Sequence, residues 1–270
     1  MAPLNPFASP GFAASTTLDL SVLRVATYNI HKGVRGVGPN KRLEIHNLGL
    51  AVEALDADIV FLQEVHLFHK RHAARFDRTS FGWPQQGQAE FLAPPGYDVA
   101  YRTNAVTRHG EHGNALLARW PIGDVGHHDV SDHRFEQRGL LHVPVQWNGS
   151  TVHAVVVHFG LVHASRVRQV QRLAEFIERE VPRDEMLVVA GDFNDWGEKL
   201  DAPMAGIGLR RAHAASSAGA RATFPSLMPV FALDRFYLRG LQCRSTLVPR
   251  GTAWARMSDH LPLVADLEPA

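Results

Sequence analysis

Two stretches of the chain share one pattern: an apolar strand, an amphipathic helix and a second, fully apolar strand. In the first stretch Leu23–Ile30 is strand-like, Leu43–Leu55 carries apolar residues at helical spacing, and Asp58–Leu62 is a nearly continuous apolar run. A strand without polar alternation is typical of a sheet that is covered on both faces. A helix between two such strands predicts a βαβ unit, in which the strands run parallel.

The second stretch has the same order later in the chain. Val152–Val157 is strand-like, Arg166–Val181 has helical spacing, and Met186–Ala190 is a second buried strand. Two such units predict two packed sheets with helices outside, an α/β architecture. Shorter strands are predicted at Asn114–Ala118, Leu140–Val145, Leu233–Leu238 and Leu261–Leu267.

Length and composition indicate one large folded domain. The chain has 270 residues, of which 45 % are hydrophobic and 20 % charged, so it is too apolar to be disordered. Its single cysteine, Cys243, excludes a framework of intramolecular disulfides. We expect a loosely ordered arm at residues 1–21, where prolines are frequent and Lys and Arg are absent, and one domain over residues 22–270.

Charge and targeting features narrow the classes of partner. The formal net charge is +1, so no global field attracts nucleic acid or an anionic membrane, and any polyanion has to meet a local patch. No apolar run approaches the roughly 18 residues that cross a bilayer. The first twenty residues lack the charged and apolar regions of a signal peptide. We therefore expect a cytoplasmic location, with no transmembrane segment and no obligate protein partner.

Polar and acidic residues stand beside the apolar strands in five segments. One such residue alone is more often a cap or a turn former, but five together are hard to explain as turns. Carboxylates joined by amide side chains, without cysteines, form a hard oxygen site that suits Mg²⁺ or Mn²⁺ and argues against structural zinc. We expect each segment to follow the end of a strand; the residues are Asn29, Glu64, Asp192 with Asn194, Asp234, and Asp259 with His260.

Histidine is unusually frequent, with sixteen residues. We single out His158 and His260, because each stands beside predicted carboxylates that favour the imidazolium form. Asp234 is the natural partner to orient such a ring. A cationic His that faces a phosphoryl oxygen would stabilise developing charge or protonate a leaving oxygen. Eight others are expected at the surface: His69, His72, His109, His112, His127, His128, His133 and His163.

Three segments are predicted as loops. Gly82–Gly96 and Ala212–Ser226 are rich in turn formers. His66–Arg78 is basic and rich in histidine, and a solvated, exposed turn is the expectation for a run of charge.

Eight short motifs, in order and at their spacing, resemble those of a known family. The chain is similar to the endonuclease/exonuclease/phosphatase superfamily of DNase I-like, metal-dependent phosphoesterases. The resemblance extends over residues 22–267 and implies a four-layer α/β sandwich. The motifs are TYNI (27–30), DIVFLQEV (58–65), GNALLAR (113–119), QRGLL (137–141), VVHFGL (156–161), GDFND (191–195), LDRFYL (233–238) and SDHLPLVADL (258–267).

The resemblance also implies a metal site. Asn29 and Glu64 would bind Mg²⁺ or Mn²⁺, and Asp259 would lie in or close to that shell. Many nucleases of the family carry an acidic residue where this chain has His31, which puts a second metal-linked carboxylate in doubt. Lys32 then becomes a candidate phosphate contact.

The catalytic roles that the resemblance implies fall on five residues. Asp192 would orient or deprotonate the attacking water, and Asn194 would hold the phosphate or the metal-bound water. His260, held by Asp234, would contact the scissile phosphate. His158 would stabilise the pentavalent phosphorus or protonate the leaving oxygen. The expected substrate contacts on the middle strands are Asn114 and Arg138.

The expected activity is metal-dependent hydrolysis of a phosphodiester in nucleic acid or in a phospholipid head group. Basic segments such as Lys70–Arg78 and Arg102–His112 would gather a polyanion. Two alternatives stay open at this point. The chain would be a phosphomonoesterase acting on a soluble metabolite, or a non-catalytic binding module that kept the fold.

Overall fold

The computed structural model describes residues 21–270 apart from Arg78, Arg134 and residues 214–221. Of the predicted arm, only Ser21 belongs to the described residues, and much of the predicted loop Ala212–Ser226 also lies outside them. None of the helices in the described ranges has the length and apolarity that a membrane crossing would need.

Strands make up most of the regular structure. In chain order they are β1 (Leu23–Asn29), β2 (Val34–Arg35), β3 (Arg42–Leu43), β4 (Ile59–His69), β5 (Asp98–Thr107), β6 (Gly110–Ala118), β7 (Gly126–Asp129), β8 (Gly139–Trp147), β9 (Ser150–His158), β10 (Met186–Asp192), β11 (Arg210–Arg211), β12 (Asp234–Arg239), β13 (Leu241–Leu247) and β14 (Leu263–Pro269). The helices are α1 (Ile45–Leu55), α2 (Lys70–Arg75), α3 (Gln88–Leu92), α4 (His163–Glu180), α5 (Asp201–Gly206) and α6 (Thr252–Met257).

The strands form two mixed sheets and a small hairpin of β2 and β3. The first sheet has the order β13-β14-β1-β4-β6-β5, and the second has the order β11-β12-β10-β9-β8-β7. Only β1 with β4 and β9 with β10 pair in parallel; the other neighbours in these two sheets pair antiparallel. Both predicted βαβ units are therefore confirmed, one in each sheet.

The two sheets pack face to face and carry helices on their outer faces. Side chains of both sheets share one apolar core, in which the rings of Phe61 and Phe236 meet edge to face at 6.2 Å. Leu48 and Leu55 of α1 join that core, and Leu173 of α4 packs in a second core on the second sheet. Each such buried side chain contributes about 1.5–3 kcal/mol. The predicted four-layer α/β sandwich is confirmed.

The segment His66–Arg78 differs from the expectation. It is not an exposed turn: its first residues continue β4 to His69, which pairs with Gly110, and the chain then enters α2. His72 is buried, not at the surface. Burial lowers the pKa of a histidine and keeps it neutral, so a histidine can be buried where a lysine could not. The predicted loop Gly82–Gly96 likewise contains α3.

The other histidines expected at the surface vary in exposure. His127, His133 and His163 are exposed as predicted. The remaining four are only half-buried: His69, His109, His112 and His128.

The close pairing of β9 and β10 generates a prediction on stability. Gly191 has φ +149°, and a Cβ there would lie 1.8 Å from the carbonyl oxygen of Val157. Gly191→Ala is expected to lower the free energy of unfolding by more than about 3 kcal/mol, because strain and a backbone clash add. Gly206→Ala in α5 is the matched control, since a Cβ there meets nothing within 4 Å. Urea unfolding measures both, and equal midpoints for the two variants would contradict the prediction.

Candidate active site

The predicted polar residues meet at one edge of the two sheets, where two strands end and two others begin. Asn29 is the last residue of β1, and Asp192 is the last residue of β10. Asp234 is instead the first residue of β12, and Asp259 and His260 come before β14. The expectation that each residue follows a strand is wrong for these three. Because β12 and β14 run antiparallel to β10 and β1, their beginnings lie beside the ends of those strands.

Glu64 lies inside β4 and not at its end, so the expected strand end is also wrong here. The pairing of β4 with β6 is irregular between Leu62 and Val65, and Glu64 has a left-handed φ of 56°. A bulge of this kind bends a strand and re-aims one side chain. The carboxylate of Glu64 thereby faces the ammonium group of Lys32 at 2.9 Å.

Backbone strain is concentrated at this edge. Left-handed φ angles cost a non-glycine residue of order 1–3 kcal/mol each, and they persist where the surrounding structure holds them. Four of the seven described non-glycine residues with positive φ belong to the candidate site: His31, Lys32, Glu64 and Asn194.

Asp192 stands at the centre of the site and is almost fully buried. Its Oδ1 accepts a hydrogen bond from the backbone N–H of Asn194 at 2.9 Å, and its Oδ2 accepts one from Nδ2 of Asn29 at 3.1 Å. The Nε2 atoms of His158 and His260 both lie 3.6 Å from the same Oδ2. Burial raises the pKa of Asp192 to about 6, against the opposing effect of the cation at His260.

His260 is held between two carboxylates. Its Nδ1 lies 2.8 Å from Oδ2 of Asp234, and that oxygen also accepts a 2.5 Å hydrogen bond from the hydroxyl of Thr223. Burial alone would lower the pKa of His260, but Asp234 and Asp192 raise it to about 10. The structure therefore keeps His260 as an imidazolium at neutral pH, with Asp234 as its partner, as the sequence predicts.

His158 differs from His260 in charge. It is the last residue of β9 and pairs in register with Asp192. Burial lowers its pKa far below the ordinary value, and the guanidinium group of Arg138 adds to the lowering. The expectation of an imidazolium is thus wrong for His158, which is neutral. Glu64 acts in the opposite direction and raises the pKa of His158, but it does not outweigh burial.

Asn194 and Asn114 are fixed by backbone carbonyl groups. The Nδ2 of Asn194 donates to the carbonyl of Phe159 at 2.9 Å. The Nδ2 of Asn114, on the first sheet, donates to the carbonyls of Gly139 and Val156 on the second sheet at 3.0 and 3.3 Å. Asn114 therefore ties the two sheets together beneath the site, and its buried Oδ1 has no hydrogen-bond partner in the described structure.

Asp259 and Glu64 share the ring of His31. The Nδ1 of His31 lies 3.2 Å from Oδ1 of Asp259 and 3.9 Å from Oε2 of Glu64. Burial would raise the pKa of both carboxylates, but neighbouring groups lower it: the ammonium group of Lys32 acts on Glu64, and a hydrogen bond from His31 acts on Asp259. Both carboxylates are therefore ionised at neutral pH.

Two groups of side chains could hold a divalent metal ion. One consists of Asp192, Asp234 and His260, whose ligand atoms all lie within 4.8 Å of one another. In that group the ring nitrogens of His260 already face both carboxylates. The other group offers the amide oxygen of Asn29 and the carboxylates of Glu64 and Asp259, a set of hard oxygens that suits Mg²⁺ or Mn²⁺. The ammonium group of Lys32 and the ring of His31 now face these carboxylates, so the oxygen set fits a cation.

Three residues that the sequence did not single out support the site. Thr223 bonds Asp234, as described above. The carboxylate of Asp195 forms a fully buried ion pair with Arg235 at 2.8 Å, and Arg235 also donates to the carbonyl of Asp195. This pair anchors the turn that carries Asn194 onto β12. The only sequence signal is that Asp195 and Arg235 directly follow site residues in the GDFND and LDRFYL motifs.

The comparisons with known proteins agree with this geometry. A sequence profile described as the Endonuclease/Exonuclease/phosphatase family matches residues 26–260. The chain belongs to the endonuclease/exonuclease/phosphatase family. Members of this family are metal-dependent phosphoesterases that act on phosphate esters such as nucleic acids.

Individual relatives extend over nearly the whole chain. The "Uncharacterized protein YbhP" of Escherichia coli (strain K12) is 39 % identical over 253 residues, 90 % of this chain and 95 % of that protein. The endonuclease/exonuclease/phosphatase structure from Beutenbergia cavernae is 20 % identical with a TM-score of 0.70, covering 93 % of this chain and 72 % of that one. The human Nocturnin catalytic domain with bound sulfate anion is 22 % identical with a TM-score of 0.66, covering 93 % and 95 %. These two structures show the same fold.

The charge on His260 predicts a pH dependence of stability in metal-free buffer. The folded-state pKa of about 10 exceeds the ordinary histidine value of 6.5. The stabilisation of the folded state by the protonated ring of His260 is therefore complete below about pH 6.5 and is lost as the pH rises through 10. We expect the stability advantage of wild type over His260→Gln to shrink by on the order of 3–5 kcal/mol from pH 6.5 to 10.

Urea unfolding in EDTA at several pH values checks this prediction. His163→Gln, an exposed histidine at the start of α4, is the control, and its stability should follow that of wild type at every pH. Parallel profiles for wild type and His260→Gln would show that His260 is not charged in the folded protein.

Proposed function

We propose that this chain is a divalent-metal-dependent phosphodiesterase that hydrolyses its substrate by in-line attack of water. One observation carries the proposal. A single buried carboxylate oxygen, Oδ2 of Asp192, faces Nδ2 of Asn29 at 3.1 Å and the Nε2 atoms of His158 and His260 at 3.6 Å. A carboxylate and two imidazoles converge there, and a phosphate group bound beside them would meet all three.

Asp192 is suited to act as the general base. A base works best when its pKa lies near the working pH, because it is then both unprotonated and basic. Burial brings the pKa of Asp192 to about 6, close to that condition. The hydrogen bonds from Asn194 and Asn29 fix the carboxylate, so its free lone pairs are directed at one attacking water.

The two histidines are suited to different parts of the charge change. His260 is cationic and fixed by Asp234, so its Nε2 proton would stabilise negative charge on the phosphoryl oxygens without reorganisation. His158 is neutral and would donate a hydrogen bond to a phosphoryl or leaving oxygen. Arg138, which is only 14 % exposed and contacts Glu136 at 3.3 Å, would bind the phosphate as a second cation. With Asn114 and Asn194, these residues form the proposed substrate contacts.

Asn29, Glu64 and Asp259 would hold the metal ion, as Mg²⁺ or Mn²⁺. A bound divalent ion neutralises charge on the non-bridging oxygens of a phosphate ester. Lys32 and His31 would then move from the carboxylates toward the phosphate. Family membership supports a phosphate-ester substrate, and the sulfate named for the Nocturnin structure is an anion of the same shape as phosphate.

Loss of Asp192 gives the first test of the activity. Asp192→Asn keeps the size of the side chain but removes the base, so we expect kcat on bis-p-nitrophenyl phosphate with Mg²⁺ or Mn²⁺ to fall at least about 10³-fold. Asp184→Asn, exposed just before β10 and at the opposite end of that strand, is the matched control and should keep full activity.

A panel of substrates identifies the ester. Supercoiled plasmid, phospholipid vesicles and p-nitrophenyl phosphate are assayed beside the diester. Nicking of plasmid that Asp192→Asn abolishes would identify a nuclease, and hydrolysis of the monoester alone would identify a phosphomonoesterase. No metal-dependent turnover of any of them by wild type would overturn the enzyme hypothesis in favour of a binding module.

The position of the metal is tested separately from activity. Glu64→Gln removes one carboxylate ligand, so we expect Mn²⁺ binding, measured by titration calorimetry, to weaken at least about tenfold. Asp234→Asn should leave the Mn²⁺ affinity within about twofold, because Asp234 serves His260. The reverse result would place the ion in the cluster of Asp192, Asp234 and His260.

A further inference from the structure

A second cleft opens beside the candidate active site. It has a volume of about 830 Å³ and lies between residues 32–41, the end of β4 with α2, and the hairpin of β5 and β6. We call it the basic cleft. Its cationic lining consists of Lys32, Lys41, Arg71 and Arg75, together with five histidines.

The charge of the basic cleft is not balanced. None of its described lining residues is acidic. Lys32 is paired with Glu64, but Arg71 is exposed and forms no ion pair in the ranges the structure describes. Among the residues that the structure describes, the partner of the Lys41 Nζ is a ring nitrogen of His72, at 3.5 Å. Cations gathered without counter-charge repel one another, and an anion that entered the cleft would relieve that repulsion.

Two buried histidines in the lining have unmet hydrogen-bonding capacity. His66 and His72 are 2 % and 8 % exposed, and the Nδ1 atom of each has no hydrogen-bond partner in the described structure. A ring of His69 stacks on His72 at 4.0 Å between centroids. Burial and the neighbouring cations lower the pKa of His72 to about 4. Buried polar atoms without partners are uncommon in native proteins and call for a ligand, water or ion.

Lys32 connects the basic cleft with the candidate active site. Its side chain lines the cleft, and its Nζ lies 2.9 Å from Oε2 of Glu64. The backbone carbonyl of Lys32 accepts a hydrogen bond from Gln88 at 2.8 Å, which fixes this residue in its left-handed conformation. A substrate bound beside Glu64 would therefore reach the cleft across the side chain of Lys32.

We propose that the basic cleft binds a second phosphate group of the substrate, one that is not hydrolysed. The inference rests on the proposed function, because it assigns to the same site a substrate class with at least two phosphates. Lys41 and Arg71 supply the cations for that group, and the histidine rings supply hydrogen-bond donors around it. The chemistry is shared by a neighbouring phosphate of a polynucleotide and by a small bisphosphorylated ester.

Binding of inorganic pyrophosphate tests the cleft without any hydrolysis. Wild type and the double variant Lys41→Gln/Arg71→Gln are titrated by calorimetry in EDTA buffer. We expect the variant to bind pyrophosphate about tenfold or more weakly, as for the loss of a charge-assisted hydrogen bond. Arg183→Gln, an 89 % exposed arginine just before β10, is the control and should bind like wild type. Equal affinity in wild type and the double variant, or no binding at all, overturns the proposal.

Kinetics supply the second arm. Two nucleoside p-nitrophenyl phosphodiesters are compared, one with a further phosphate and one without it. The kcat/KM of the first divided by that of the second should be about tenfold lower in the double variant than in wild type, through KM and not kcat. An unchanged ratio overturns the proposal that the basic cleft binds a second phosphate. If no substrate is turned over by wild type, the proposed function fails while the pyrophosphate result still decides the cleft.

Competition experiments distinguish the two sources of the second phosphate, a polynucleotide and a small bisphosphorylated ester. Fructose 1,6-bisphosphate and a four-residue oligothymidylate compete against pyrophosphate on wild type and on the double variant. The competitor whose affinity drops in the variant is the kind of substrate that the cleft accepts. If neither competitor loses affinity in the variant, the cleft is not a phosphate site.

Discussion

A buried imidazolium between two carboxylates is the interaction on which the site depends. His260 lies 2.8 Å from Asp234 and 3.6 Å from Asp192, and all three are almost fully removed from water. Isolated buried charges would cost several kcal/mol each, so this group is stable only as a set. The two carboxylates and one imidazolium leave a surplus of one negative charge. Burial, with the charge of Asp234, raises the pKa of Asp192, and the surplus negative charge favours a cation bound nearby.

The two sheets are needed together because each supplies one half of this set. Asn29 ends β1 of the first sheet, and His260 lies just before β14 of the same sheet. Asp192 and Asp234 belong to β10 and β12 of the second sheet. Contacts between the two sheets fix their relative position, including the hydrogen bond from Nδ2 of Asn29 to Oδ2 of Asp192. The apolar core between the sheets thus has a catalytic consequence, since any shift of one sheet against the other would separate His260 from Asp234.

The many histidines serve as groups whose charge the surroundings decide. A histidine is cationic at position 260 and neutral at position 158. His72 is neutral although it lies among the cations of the basic cleft. Burial opposes the charge in every case. At His260 two carboxylates lie within 3.6 Å and outweigh burial, so the neighbours, and not the residue type, determine the charge of this ring.

The sequence by itself determined the architecture and the chemical type of the site. Each of the two βαβ units has an amphipathic helix between two apolar strands, and this local periodicity is enough to predict both units. The strand-associated carboxylates and amides could be named for the same reason. The sequence did not reveal that β4 extends to His69, that a bulge lies at Glu64, or that Asp234 begins a strand and His260 precedes one. These depend on antiparallel pairing between segments far apart in the chain. Only the tertiary structure decided the neutral state of His158, the ion pair of Asp195 with Arg235 and the basic cleft, because burial and through-space charge have no local signal in a sequence.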